Sequence, residues 1–130
     1  MDYKKLIKYW VITADHDYET ALALYKSKRF SDCLFFVHII LEKILKALVV
    51  QHTKDNAPFI HDFVGLHKKS GLNLGEETID FLDQINEFNI RTRYPEYKLD
   101  FYKKCTPDYT KKYFDKIKIL YKELCQKIKP

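Results

Sequence analysis

Glycine and proline are scarce in this chain, and that scarcity is what most constrains its fold. Only three glycines and four prolines occur among 130 residues. Folds built from many strands and tight turns need more of both residue types, so long helices are favoured. Apolar residues make up 46% of the chain and charged residues 32%, which is typical of a globular chain. The length suits a single domain over residues 1–130.

Apolar residues recur every three or four positions along most of the chain, which is the period of an α-helix. Long helices are predicted at residues 3–26, 31–52, 76–90 and from 107 onward. The last of these begins with a capping Thr106, a proline at the first helical position and an acidic residue after it. The second is predicted to begin at Ser31, whose hydroxyl can accept from the free N–H groups of the first turn.

Two shorter segments complete the predicted organisation. Residues 61–69 predict a short helix that ends before Gly71. Residues 91–105 are aromatic and basic, and they are interpreted as a loop around Pro95, because proline opposes the continuation of a helix. The chain is therefore predicted to be all-α, an up-and-down four-helix bundle with an additional short helix.

The sequence lacks the residues that several kinds of functional site require. No phosphate-binding glycine loop, GxSxG motif or HExxH motif occurs, and the three cysteines form no CxxC pair. His61 and His67 are six residues apart, a poor spacing for shared metal ligands, so neither a metal nor a cofactor is predicted. No stretch is apolar enough to span a membrane. The odd number of cysteines and the lack of a signal peptide favour the cytoplasm.

Positive charge is concentrated in the C-terminal third. Residues 91–130 contain twelve Lys or Arg against five Asp or Glu, whereas residues 1–90 contain eleven against thirteen. A basic region of this kind attracts phosphate groups or an acidic partner, although a solvated lysine-rich helix face gives the same pattern.

One basic segment alternates cations with aromatic rings, through Arg91, Arg93, Tyr94 and Tyr97. This combination suits phosphate contact together with base stacking. The alternative is structural: Tyr94 packs the segment onto the bundle while the arginines cap the end of the preceding helix.

Four further polar residues fall on or beside apolar helix faces. Asp17 interrupts the apolar stripe of the first helix. It is interpreted either as a site acid in a cleft or as half of a core ion pair with Lys46, Arg91 or Arg93. Glu42 and Lys46 form a helical pair or reach across to those arginines. His61 is predicted to start the short helix as a hydrogen-bonding residue. Lys46 is a candidate ligand-binding residue, and the other three are candidates for a cleft or core polar network.

Five ordered features give the chain a resemblance to a known family. They are Trp10-x3-Ala14-x2-Asp17-x3-Ala21, Phe30-Ser31-Asp32-Cys33, Glu42-Lys43-x2-Lys46-Ala47, His61-Asp62 and Arg93-Tyr94-Pro95. In this order and spacing the chain resembles the prokaryotic HEPN domain (higher eukaryotes and prokaryotes nucleotide-binding) over about residues 3–124. The resemblance implies a helical bundle that forms a homodimer, binds nucleotide or RNA, and acts with a small nucleotidyltransferase in a toxin–antitoxin pair.

The chain departs from the pattern that the resemblance implies for RNA cleavage. Many such domains are metal-independent RNases that use an arginine, a spacer of four to six residues and a histidine. Arg91 and Arg93 stand where the arginine is expected, but Glu96 and Lys98 lie five residues after them and no histidine follows. No catalytic residue is assigned, and binding without cleavage is predicted. Two alternatives stay open: an RNase with Glu96 as an altered base, and a protein-interaction module.

Overall fold

The computed structural model describes residues 2–130, and α-helices account for most of them. Six helices are present in this range: α1 Tyr3–Lys26, α2 Phe30–Thr53, α3 Phe63–Lys69, α4 Glu76–Arg93, α5 Pro95–Lys104 and α6 Pro107–Gln126. The same residues contain no β-strand, so the prediction of an all-α helical bundle is confirmed. No helix within residues 2–130 is long and apolar enough to cross a membrane.

The central helix of the bundle is α2, because it contacts each of the five other helices. More than half of its residues are buried, and at residues 44–50 they lie on every side of the helix rather than along one stripe. A helical segment buried on all sides is stable only when other elements surround it. It forms a hairpin with α1 through residues 27–29, where Lys28 adopts a left-handed conformation with φ 63°.

The predicted helix caps have different outcomes. Thr106 caps α6 as predicted, and its hydroxyl accepts from the backbone N–H of Tyr109 at 3.3 Å. The prediction that Ser31 caps the second helix is wrong, because α2 already begins at Phe30 and Ser31 lies inside it. Arg29 occupies the cap position and makes no side-chain hydrogen bond there.

The interpretation of residues 91–105 as a loop is also wrong. Helix α4 continues to Arg93, and Tyr94 is the only residue between α4 and α5. Tyr94 is extended, with φ −99° and ψ 125°, which is the backbone conformation favoured immediately before proline. Pro95 then begins α5, since the fixed φ of proline suits the first helical position and its missing N–H leaves no bond unmade there.

One buried aromatic residue fastens α5 to the bundle. Phe101 is the only buried residue within α5, and its ring lies 5.3 Å from that of Phe88 in α4. Cys105, directly after the helix, is also buried. The remaining side chains of α5 are exposed, so this short helix covers the end of α4 and presents most of its surface to solvent.

Two buried histidines make stability depend on pH. His67 is buried in α3, and its Nε2 accepts the backbone N–H of Leu74 at 3.2 Å. Burial lowers the pKa of His67 below its usual value, and burial also lowers the pKa of His38 in α2. In both, burial therefore favours the neutral imidazole in the folded state.

We expect the free energy of unfolding to be highest above about pH 6.5 and to decrease as the pH falls below it. The reason is that the unfolded chain takes up protons that the buried imidazoles resist. Melting temperatures at about pH 7.5 and about pH 5.5 would measure the effect. His67→Gln keeps an acceptor but does not titrate, so it should reduce the difference. An equal difference in this variant would show that His67 does not contribute.

Candidate functional site

A pocket of about 480 Å³ lies between the C-terminal part of α4 and α5. We call it the α4–α5 pocket, and it is lined by Glu87, Ile90, Arg91, Tyr97, Asp100, Phe101 and Lys104. Two of the four residues predicted from the basic segment, Arg91 and Tyr97, therefore lie on its wall. Both are placed there because α4 extends past residue 90 and α5 folds back beside it.

The charges of the α4–α5 pocket are mixed. Arg91 donates from Nη2 to Oε2 of Glu87, one turn earlier in α4, at 3.1 Å. Lys104 lies with its Nζ 5.5 Å from the ring centroid of Tyr109. Two cations and the two carboxylates of Glu87 and Asp100 thus line a cavity whose rim includes an aromatic ring, Tyr97, that is about half exposed. The two cations can donate hydrogen bonds to phosphate oxygens, and the two carboxylates can accept hydrogen bonds from hydroxyl or amino groups.

The other two predicted residues of the basic segment do not line the α4–α5 pocket. Arg93 ends α4 and is exposed, on the side where its positive charge contributes to lowering the pKa of His38 in α2. Tyr94 is the exposed joint between α4 and α5. Of the two arginines of α4, Arg91 therefore lines the α4–α5 pocket and Arg93 does not.

A second group of polar side chains surrounds Glu42 on α2. We call it the Glu42 cluster, and it consists of His38, Glu42, Lys46 and His61. Oε1 of Glu42 accepts from Nδ1 of His61 at 2.8 Å and lies 3.7 Å from Nε2 of His38. Oε2 accepts from Nζ of Lys46 at 3.3 Å, which confirms the helical pair. The predicted alternative, a contact between Lys46 and the arginines of α4, is not among its hydrogen bonds. Its ammonium instead lies 5.4 Å from the ring centroid of Trp10 in α1.

Most of the Glu42 cluster is shielded from solvent. The side chains of His38, Lys46 and Glu42 are 2%, 8% and 16% exposed, whereas that of His61 is 55% exposed. Nδ1 of His38 donates to the carbonyl oxygen of Phe35 at 3.2 Å. Its Nε2 is therefore an acceptor, and it has no hydrogen-bond partner among residues 2–130.

The prediction that His61 starts the short helix is wrong, whereas its predicted hydrogen-bonding role is confirmed. Asp62 is the cap of α3, and its carboxylate accepts from the N–H groups of Val64 and Gly65 at 3.2 and 3.3 Å. His61 precedes this cap and turns its ring toward Glu42 instead. The ring reaches a residue nineteen positions earlier in the chain, so local sequence gave no indication of this contact.

Asp17 is half of a partly buried ion pair, but its partner is none of the three predicted residues. Nζ of Lys43 donates to its Oδ2 at 2.6 Å, and this bond joins α1 to α2. A lysine in this position satisfies the carboxylate and fixes the two helices in one register. Asp17 therefore makes no hydrogen bond or ion pair to Lys46, Arg91 or Arg93.

Four residues of the pocket and the cluster are not predicted from the sequence. Glu87, Asp100 and Lys104 line the α4–α5 pocket, and His38 belongs to the Glu42 cluster. The spacing of Tyr97, Asp100 and Lys104 is that of one helical face, so recognising α5 would have found the last two. In the part of the chain that the structure describes, no group of three or more His, Cys, Asp or Glu could hold a metal ion.

Comparison with known proteins identifies the family. No match was found among curated proteins or among solved structures. The family model described as the HEPN domain matches residues 7–128, and this range includes all six helices apart from the first four residues of α1. It also includes the α4–α5 pocket and the Glu42 cluster. The chain therefore belongs to the HEPN domain family.

Proposed function

We propose that this protein binds a nucleotide or RNA through the α4–α5 pocket. The observation that carries the proposal is the position of two cations, Arg91 and Lys104, beside the exposed ring of Tyr97. A volume of about 480 Å³ lies within the range of small-molecule sites, roughly 300–1,000 Å³. Membership of the HEPN family supports the same class of ligand.

The mixed charge of the pocket favours a nucleotide over a bare phosphate. Phosphate oxygens would accept from Arg91 and Lys104, while a base would stack on Tyr97. Glu87 and Asp100 would repel a bare anion, but they accept from ribose hydroxyls and from the amino groups of bases. Binding is what this pocket supports, since no histidine is among the described residues that line it.

We also propose that the protein acts as a homodimer in the cytoplasm with a small nucleotidyltransferase partner, in a toxin–antitoxin-type pair. The partner is an implication of the HEPN resemblance. The dimer is supported by five large apolar side chains that are at least half exposed along α4 and α5: Ile90, Tyr94, Tyr97, Leu99 and Tyr102. Aromatic residues of this kind are enriched in protein interfaces. Three free thiols support a reducing compartment.

Binding of labelled single-stranded RNA and of labelled ATP across a salt series tests the first proposal. Affinity should fall as salt increases, and Arg91→Ala should reduce the salt slope for RNA by about one phosphate contact. Tyr97→Ala should weaken RNA binding by about 1–3 kcal/mol through lost stacking. Lys122→Ala removes an exposed lysine on α6 and is the matched control.

Two outcomes would contradict this assignment. Absence of binding to either ligand at low salt would exclude the nucleotide-binding function and favour a protein-interaction module. Equal losses in Arg91→Ala and Lys122→Ala would show that binding reflects overall charge rather than the α4–α5 pocket.

A further inference from the structure

We propose that a groove between α4 and α6 binds a basic amphipathic helix of a partner protein. The groove has a volume of about 470 Å³, and we call it the α4–α6 groove. Its walls are residues of α4 between 77 and 84 and residues of α6 between 116 and 123. It shares no lining residue with the α4–α5 pocket, so the inference goes beyond the proposed binding of nucleotide or RNA and does not depend on it.

The α4–α6 groove has the shape of a helix-binding site, because each of its walls is one face of a helix. Helix α6 contributes residues 116, 119, 120 and 123, and α4 contributes residues 77, 80, 81 and 84 together with Thr78. Both sets of four have the spacing i, i+3, i+4 and i+7, which places them on one side of a helix over about two turns. Two such faces side by side leave a channel in which a third helix can pack.

Apolar side chains line the α4–α6 groove, and one of them is left uncovered. Leu120 is buried and Phe81 is partly buried, whereas Ile119 is 70% exposed. The ring of Tyr113 stacks on that of Phe81, with centroids 6.1 Å apart and planes at 11°, so aromatic side chains fill the space between α4 and α6 there. No described residue covers Ile119 in the same way. Apolar surface in a groove with polar residues around it is typical of an interaction site.

The charge of the α4–α6 groove is opposite to that of the chain as a whole. Glu77, Asp80 and Glu123 are exposed, and none of them forms an ion pair with another residue in the range 2–130. Lys116 is the one cation among the described lining residues, and its ammonium lies 5.3 Å from the ring centroid of Phe81. Three carboxylates and one ammonium give the groove a formal charge of −2, whereas the whole chain carries +5.

This combination of shape, apolar surface and charge selects the partner. An amphipathic helix would pack its apolar stripe against Ile119 and Phe81, as helices do in the grooves of other proteins. Lysine or arginine side chains beside that stripe would extend to the carboxylates of the groove, which are available because no intramolecular ion pair has to break. Charge complementarity therefore predicts a basic helix.

Two other occupants fit the α4–α6 groove less well. The phosphate groups of a nucleic acid would be repelled by its three carboxylates. A second copy of this chain, joined groove to groove by two-fold symmetry, would place the same carboxylates against one another, and like charges across an interface are unfavourable. A partner with a different sequence meets neither obstacle.

Fluorescence anisotropy of a labelled model peptide tests the proposal on the full chain. The peptide is a leucine–lysine helix of about 14 residues, close to four turns, with leucine at every third or fourth position. We expect it to bind at low salt, and its affinity should fall as salt increases. The same peptide with glutamate in place of lysine should not bind.

A matched pair of variants tests the role of the carboxylates. Asp80→Lys should weaken binding of the lysine peptide by about tenfold or more. Glu19→Lys reverses an exposed carboxylate on α1 and changes the net charge by the same amount, so it should weaken binding much less.

A second pair of variants tests the apolar surface. Ile119→Ser removes exposed apolar surface without changing the charge, so it should weaken peptide binding by about threefold to tenfold and leave the salt dependence unchanged. Ile12→Ser removes an isoleucine of α1 that is 56% exposed, and it should leave the affinity unchanged. Because Ile119 does not line the α4–α5 pocket, Ile119→Ser should bind RNA as the wild type does.

Four results would overturn the proposal. Two are absence of peptide binding at low salt and equal binding of the lysine and glutamate peptides. Equal losses in Asp80→Lys and Glu19→Lys would attribute the binding to overall charge. If no peptide bound and Ile119→Ser sedimented as a smaller species than the wild type, the α4–α6 groove would be an interface between copies of this chain. None of these results would affect the proposed binding of RNA, which the α4–α5 pocket variants test separately.

Discussion

A Glu42→Ala variant is expected to lose about 3–5 kcal/mol of folding free energy. The substitution removes the carboxylate that accepts from Lys46 and His61, and the ammonium of Lys46 is then left buried without a counter-charge. The loss would far exceed that for an exposed ion pair, which is typically below about 1 kcal/mol. Urea denaturation followed by circular dichroism would measure it.

A second substitution isolates the cause. Lys46→Met in the Glu42→Ala background removes the uncompensated charge while keeping a side chain of similar volume, so it should recover much of the lost stability. Glu123→Ala removes an exposed carboxylate of α6 and should change stability by less than about 0.5 kcal/mol. If the double variant were as unstable as Glu42→Ala, the buried ammonium would not be the cause.

Phe101→Ala is expected to cost about 3–5 kcal/mol and to release α5 from the bundle. Phe101 is the only buried side chain within α5, and it packs against Phe88 of α4. Its ring also forms part of the wall of the α4–α5 pocket. Binding of RNA and ATP should therefore fall together with hydrogen-exchange protection of residues 95–104.

A nearby exposed residue of α5 supplies the control for this prediction. Lys103 is exposed, so Lys103→Ala should change stability by less than about 0.5 kcal/mol. Protection of α5 in Phe101→Ala equal to that of the wild type would show that other contacts hold this helix. Retained ligand affinity in the same variant would place the binding site elsewhere.

Local sequence predicts most of the helices but not the one that forms the pocket. The spacing of apolar residues placed the boundaries of α1 correctly and those of α2 within one residue. Pro95 was interpreted as a breaker, whereas Pro107 was interpreted correctly as a first helical residue. The two prolines differ in the residue before them. Thr106 is a recognisable helix cap, whereas the side chain of Tyr94 makes no capping hydrogen bond.

Long-range partners could not be predicted from one sequence. The position of Asp17 on an apolar stripe predicts an ion pair with Lys46, Arg91 or Arg93 as one interpretation, but its partner in the structure is Lys43. The contact between His61 and Glu42 depends on how the connector before α3 crosses α2. Helical periodicity shows which side chains share a face of one helix, and it does not show which faces meet. The candidate site residues of this chain therefore become apparent as groups only in three dimensions.

Because a single residue joins α4 to α5, the shape of the α4–α5 pocket depends more on the number of residues at this joint than on which residue stands there. Tyr94 is extended, and it alone sets the distance and direction between the end of α4 and the start of α5. One inserted residue there would change the position of α5 relative to Arg91, and Tyr97 and Lys104 would leave the wall that they now share. Relatives that use this surface should accordingly vary in which residues they place along it, while insertions and deletions are excluded from the joint.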